Sequence, residues 1–206
     1  MIFYDILDSD RINVLSKLSF LKNRFYLAGG TGLALQIGHR DSVDFDFFTT
    51  EHFNTSDLYG ELLQVFGQNN IVKILEEKET LNVIINGDIK LSFFHYPYTL
   101  LEPTIQEKFL HIASVADIGC MKLSAVVGRA VEKDYVDLYF ILKIIPLATL
   151  LSKAKEKMSD LEHNLILKSM IYFDDVVQEN IVFKHDFQVS FDEVKKYLQQ
   201  EVKKIV

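Results

Sequence analysis

The feature that most constrains this chain is the segment from Phe25 to Phe48. In it a strand, a glycine pair, a helix and an acidic strand follow one another with almost no linker. Phe25 to Ala28 reads as a short strand. Gly29 and Gly30 break it, and Thr31 is placed to cap a helix running to about Gly38. Ser42 to Phe48 then alternates polar and aromatic residues, the pattern of a strand with one buried face. Alternate residues of a strand share a face. Asp44 and Asp46 therefore point the same way, about 7 Å apart along the backbone. Phe45 and Phe47 take the opposite face and anchor it in a core. Two adjacent carboxylates repel, and burial raises the pKa of at least one. A divalent cation removes that penalty, and an oxygen-rich site suits Mg²⁺, which keeps waters and accepts substrate phosphates. For Asp-Phe-Asp alone, a solvated strand face is the competing account. The turn upstream weighs against it. Gly29 and Gly30 let backbone N–H groups approach a phosphate closely, and the helix N-terminus favours its charge.

The pattern changes character near Ser114. Before it, short β-branched and aromatic runs alternate with helical stretches. After it, nearly everything reads helical. Residues 5–22 form an amphipathic pattern with Ile12, Leu15, Leu18 and Leu21 at helical spacing. Ser56 and Asp57 open a helix to about Phe66. Residues 71–75, 81–85 and 89–94 read as strands, the last two joined by Asn86-Gly87, a strong hairpin turn. Pro97 and Pro103 bracket a loop. Helices are expected at about 115–130, 133–145, 147–157, 160–177 and 190–204. The expected organisation is a mixed-sheet α/β (α+β) region over 1–113 and a helical region over 114–206 packed on it.

A second group of polar residues lies in the helical half. Lys122, Arg129 and Lys133 fall on one face if a single helix continues through them, with Val126, Val127 and Ala130 off that stripe. A cationic stripe facing Asp44 and Asp46 would hold triphosphate oxygens; a solvated basic face is the alternative. Asp134 and Asp137 share a helix face. They could orient Lys122, act as general base, or cap the second helix. His39 and Arg40 end the short helix, where positive charge suits the macrodipole; capping and substrate contact are both open. His95, His111, His163 and His185 show no metal-ligand spacing.

These motifs carry a resemblance. A Gly-Gly turn, a short helix and Asp-hydrophobic-Asp resemble the nucleotidyltransferase superfamily. Within it, Gly-Gly-Thr-Gly-Leu-Ala-Leu from Gly29, His-Arg-Asp-Ser-Val-Asp-Phe-Asp-Phe-Phe from His39, and the run from Met121 through Lys133-Asp134-Tyr-Val-Asp137-Leu look like the AbiEii/AbiGii toxin family. The matches span most of residues 25–142. The resemblance implies a nucleotidyltransferase-like mixed-sheet head with a C-terminal helical bundle. It implies Mg²⁺-dependent transfer of a nucleotide from an NTP to an acceptor, an RNA such as a tRNA end, and a cognate antitoxin protein. Asp44 and Asp46 would hold the metal. Gly29, Gly30, Thr31, Arg40, Ser42, Arg129 and Lys133 would contact substrate, with Lys122, Asp134 and Asp137 completing the catalytic set. One departure stands out: many nucleotidyltransferases carry a third carboxylate on a later strand, and here Ser92 stands near that position. The alternatives are a nucleotide-binding module without chemistry and a transferase acting on a protein hydroxyl.

The net charge of −7 disfavours whole-surface attraction to nucleic acid, so an RNA needs a local basic surface. That surface is expected to combine the Lys122 stripe with Lys143; for Lys153, Lys155 and Lys157, an ordinary solvated helix face and RNA contact are both open, the solvated face slightly ahead. The single cysteine, Cys120, sits in an apolar helical run and reads as a buried, inert thiol in a reducing compartment. No basic leader and no apolar stretch of about 20 residues is present, the expectation for a cytoplasmic protein without a membrane span.

Overall fold

The structure is a computed structural model that describes residues 2–184 and 186–205; His185 lies outside the described residues. Seven strands form one mixed sheet: β1 (Tyr26–Ala28), β2 (Phe45–Thr49), β3 (Ile71–Glu77), β4 (Thr80–Ile85), β5 (Ile89–His95), β6 (Ile105–Gln106) and β7 (His111–Ile112). Their order is β3-β4-β5-β2-β1-β7-β6. β2 lies parallel to β5 and antiparallel to β1, and β1 lies parallel to β7. The β4–β5 hairpin turns at Asn86 (φ 53°) and Gly87 (φ 90°), as the Asn-Gly pair requires. The short strands β6 and β7 fall between the Pro97–Pro103 loop and the helix expected from about 115, where the sequence pattern assigns no element.

Eight α-helices are described: α1 (Ser9–Lys17), α2 (Gly29–Ile37), α3 (Thr55–Phe66), α4 (Val115–Gly128), α5 (Glu132–Leu142), α6 (Leu147–Lys157), α7 (His163–Ile171) and α8 (Phe191–Lys203). The expected helix over 160–177 is thus confined to α7. Its continuation is a non-helical segment that runs back along α5 and the chain after α2. Capping follows side-chain chemistry where short polar residues are available. Asp8, Asn54, Ser114 and Ser190 cap α1, α3, α4 and α8, the last through a full capping box. Thr31 does not cap α2; the helix begins earlier, at Gly29, and Ala28 holds the cap position. No single helix among the described residues is long and apolar enough to cross a membrane.

The sheet divides the apolar core in two. On one face, Phe45, Phe47, Leu91 and Phe93 pack with Leu15 of α1 and Leu58 and Leu62 of α3. On the other, Ala28 and Leu33 join a core built from α4 to α8. Alternation along β2 therefore fixes the orientation of Asp46. With Phe45 (0% exposed) and Phe47 (3%) turned into the first core, Asp46 must face the helical side. Cys120 is buried in that helical core, and burial pushes its thiol up to about 12.

Candidate active site

A cleft of about 590 Å³ opens between the sheet and the α4–α5 corner. Its floor is β2 and β5, where Asp46 and Ser92 are direct partners in the parallel register. Ser92 thus occupies the cross-strand position beside Asp46, and its hydroxyl works to lower the pKa of that carboxylate. Asp44 lies just before β2 and is exposed, while Asp46 is half-buried. Burial raises the pKa of Asp46 and the Asp44 charge adds to the effect; Lys122, Lys90 and the Ser92 hydroxyl oppose it. A half-buried carboxylate held above its ordinary pKa beside a second carboxylate is a group short of positive charge. The donor set therefore fits a hard divalent cation.

The N-terminus of α2 forms the adjacent wall. Gly29 follows Ala28, the β1 partner of Asp46. Its φ is +62°, and a Cβ there would stand 2.8 Å from Asp46 Oδ2. Only glycine meets both conditions. At Gly30 the constraint is space alone, since a Cβ would lie 2.5 Å from Arg40 Nη2. The Thr31 hydroxyl points away from the cleft: it donates to the Asp44 carbonyl and lies 2.8 Å from Ser42 Oγ. Thr31 thereby ties the segment carrying Asp44 to α2.

Behind the cleft lies a buried ionic network. Lys122 Nζ is 2.6 Å from both Asp134 Oδ1 and Asp137 Oδ2. Burial works against its charge, but Asp137 and Asp134 outweigh burial and hold the ammonium above its ordinary pKa. Arg40 donates from Nε and Nη2 to the two oxygens of Asp137 at 2.8 and 2.9 Å. His39 Nε2 lies 2.9 Å from Asp137 Oδ1. Burial alone would push the Asp137 pKa up; Arg40, Lys122 and His39 reverse this and hold it well below the carboxylate range. Burial dominates at His39 and lowers its pKa, so the imidazole is neutral at pH 7.

These contacts correct several expectations. α2 closes at Gly38 in the left-handed conformation (φ 73°), so His39 and Arg40 lie beyond the helix and do not cap it. Arg40 is 3% exposed, and its third nitrogen bonds the Asp41 carbonyl, so its guanidinium is held on Asp137 at the wall of the cleft. Asp137 takes Arg40, Lys122 and His39 as partners, so its carboxylate holds these three groups in place. Asp134 also does not cap α5; it accepts from Lys122 and from Arg129 Nε at 2.9 Å. The single helix through Lys122, Arg129 and Lys133 does not exist. α4 ends at Gly128, Arg129 is extended, and α5 starts at Glu132. All three cations still line the cleft, brought there by the corner and not by a helical stripe. Lys157 is 6% exposed and bonds Asp117 at 2.7 Å, and Lys153 pairs with Glu102. The expected basic cluster in α6 is therefore largely spent inside the fold. Lys143 lies 3.8 Å from the centre of the Tyr197 ring.

Three sets of cleft residues escaped the sequence reading. Lys90 lies two positions before Ser92 on the same strand face, a signal that alternation carries. Glu179 and Asn180 come from the segment after α7, which the backbone bonds Val177 N to Ala130 O (2.8 Å) and Asp41 N to Val182 O (2.8 Å) hold across the cleft mouth. No local pattern announces that crossing. An adjoining cavity of about 380 Å³ is walled by Phe48, Phe94 and Tyr96, with Phe48 and Phe94 stacked at 5.3 Å. Phe48 and Phe94 fall in expected strands, and Tyr96 lies just beyond the strand expected over 89–94.

Known proteins resemble this chain over most of its length. A protein of Aquifex aeolicus (strain VF5), described only as uncharacterized, is 36% identical over 185 residues, covering 88% of this chain and 87% of that protein. Among solved structures, MenT4, a nucleotidyltransferase toxin of Mycobacterium tuberculosis H37Rv, matches with a TM-score of 0.60 at 16% identity, over 93% of this chain and 81% of that one. JHP933 from Helicobacter pylori matches with a TM-score of 0.56 at 19% identity, over 97% and 93%. At such identities the two structures speak for the fold alone. Residues 13–200 match the family model described as nucleotidyl transferase AbiEii toxin, type IV toxin–antitoxin system. The chain, with its nucleotidyltransferase-like fold, belongs to the AbiEii nucleotidyl transferase toxin family.

Proposed function

We propose that this protein transfers a nucleotidyl group from an NTP to an RNA acceptor, a tRNA end, in the cleft over Asp44 and Asp46. The observation that carries the reading is the meeting of Asp46, Gly30 at the start of α2 and the cations Lys90, Lys122 and Arg129 in one cleft. Asp44 and Asp46 hold Mg²⁺. When bound, that ion neutralises charge on the triphosphate and on the leaving pyrophosphate. The N–H groups at the start of α2 face the same space and take phosphate oxygens. Lys122, fixed between Asp134 and Asp137, keeps a constant positive charge at the back of the cleft. The aromatic cavity beside it offers Phe48, Phe94 and Tyr96 to the base. In the transfer, the acceptor hydroxyl oxygen bonds to the α-phosphorus, the bond to the β-phosphate breaks, pyrophosphate leaves, and the hydroxyl proton passes to cleft water. Family membership supports an NTP substrate and an antitoxin partner.

Ser92 in place of a carboxylate favours one other reading, a module that binds Mg-NTP without transferring it. One experiment separates the two. The protein is incubated with each labelled NTP, Mg²⁺ and either total RNA or total protein, beside Asp44→Asn/Asp46→Asn. Label entering RNA, and lost in the double variant, is the expected result. Label entering protein alone would assign a different acceptor. Mg-NTP binding without any transfer would establish the binding module.

A further inference from the structure

His52, Glu79 and His95 come together on the opposite side of the sheet from the cleft. His95 ends β5 and pairs with Thr49, on the Phe93 face and not the Ser92 face. Glu79 lies in the turn between β3 and β4, and His52 in the connection from β2 to α3. His52 Nδ1 contacts Glu79 Oε1, and His95 Nδ1 lies 3.5 Å from Glu79 Oε2. The two imidazoles stack with centroids 4.4 Å apart. All three ligand atoms lie within 4.8 Å of one another. Tetrahedral ligands around zinc at about 2.0–2.1 Å stand about 3.3 Å apart, so small side-chain rotations complete the site.

We infer that His52, Glu79 and His95 form a second metal site, a His₂Glu set for a borderline-soft divalent cation such as Zn²⁺, separate from the Asp44–Asp46 site. Two imidazoles and one carboxylate select Zn²⁺ over Mg²⁺, which prefers oxygen ligands. The His52 side chain is 78% exposed, leaving the fourth position to water. Glu79 adds a separate observation. Its φ of +57° is a left-handed conformation that favours glycine or asparagine, yet the position holds a carboxylate. Its backbone carbonyl accepts from His95 N at 3.0 Å, which fixes one ligand residue against the other. Bound zinc would clip the loop after β2 to the β3–β4 turn.

The test is calorimetric titration of Zn²⁺ into untagged protein in excess Mg²⁺, with melting followed in parallel. One Zn²⁺ per chain and a raised Tm are expected. Affinity should fall by more than about tenfold in His52→Ala and in Glu79→Gly. His52 is exposed, so its variant keeps the fold. Glu79→Gly also relaxes the turn, so its metal-free Tm should not fall while zinc binding does. Asp44→Asn/Asp46→Asn should bind zinc as the wild type does. Absence of zinc binding, binding untouched by His52→Ala and Glu79→Gly, or binding lost in the Asp44→Asn/Asp46→Asn variant would each overturn the assignment.

Discussion

Asp46 and Ser92 are direct partners across the β2–β5 ladder, which sets the Ser92 hydroxyl beside the one half-buried carboxylate of the Asp44–Asp46 pair. A neutral donor stands where a further acid would add repulsion. Asp46 has a folded-state pKa raised by burial and then by Asp44, so its ionisation works against folding. The associated stability is fully present below the unfolded value, about 3.9, and is lost as pH rises through the folded value. Without Mg²⁺, Asp46→Asn should therefore melt higher than the wild type at neutral pH, and the difference should vanish near pH 3. Mg²⁺ should raise the wild-type Tm and leave that of the variant unchanged. Ser92→Asp should do the reverse, losing on the order of 3 kcal/mol without metal and gaining more from Mg²⁺ than the wild type. An Asp46→Asn protein that melts no higher than wild type at neutral pH would remove the repulsion argument.

Gly29 and Asp46 are coupled through space. Gly29→Ala meets both a left-handed backbone, costing about 1–2 kcal/mol, and a contact with Asp46 Oδ2. In an Asp46→Ala background the contact is gone and the backbone cost remains. A double-mutant cycle by chemical denaturation should show coupling of about 0.5–3 kcal/mol. Strict additivity would mean that the turn and the carboxylate are independent.

Much of this was legible in the sequence for a physical reason: it rests on local patterns. The period-two alternation of Phe45 and Phe47 with Asp44 and Asp46 predicted which side chains share a face. Asn86-Gly87 predicted its turn. The cationic stripe failed because helical spacing was extended through Gly128-Arg129-Ala130, where the chain turns a corner. Arg40 and His39 were read against the nearest helix end, whereas their partner, Asp137, is about a hundred positions away and visible only after α5 packs on α2. His52, Glu79 and His95 show the same limit, since sheet pairing and not sequence spacing brings them together.

The Asp137 network makes a stability prediction. Asp137→Asn leaves Lys122 and Arg40 buried with too little negative charge, and should cost about 3–5 kcal/mol. The pH dependence follows from the depressed pKa of Asp137. Its contribution is present above the unfolded value, about 3.9, and is lost as pH falls through the folded one. The wild type should lose stability steeply below pH 4, and Asp137→Asn should show a shallower acid limb in urea titrations. Parallel acid limbs would show that other carboxylates set the acid response.

The final prediction concerns the segment across the cleft mouth. Glu179 Oε2 lies 3.3 Å from Lys133 Nζ, and the backbone bonds of Val177 and Val182 hold Glu179 there. Lys133 is therefore paired with a residue of the same cleft. An acidic chain that binds RNA must do so through such a local surface, and a carboxylate at its edge opposes the phosphates. Glu179→Gln frees Lys133 without changing side-chain size. RNA affinity should rise, and the slope of log affinity against log salt should steepen by about 0.7–0.9 if Lys133 gains one phosphate. Lys133→Ala should weaken binding and flatten the slope. In Lys133→Ala/Glu179→Gln the slope should return to the Lys133→Ala value, because no cation is left to release. Filter-binding titrations over a range of salt concentrations read all three variants. Should the slopes of all three match the wild type, the acceptor approaches from another side and the label-transfer assay must be repeated with protein acceptors.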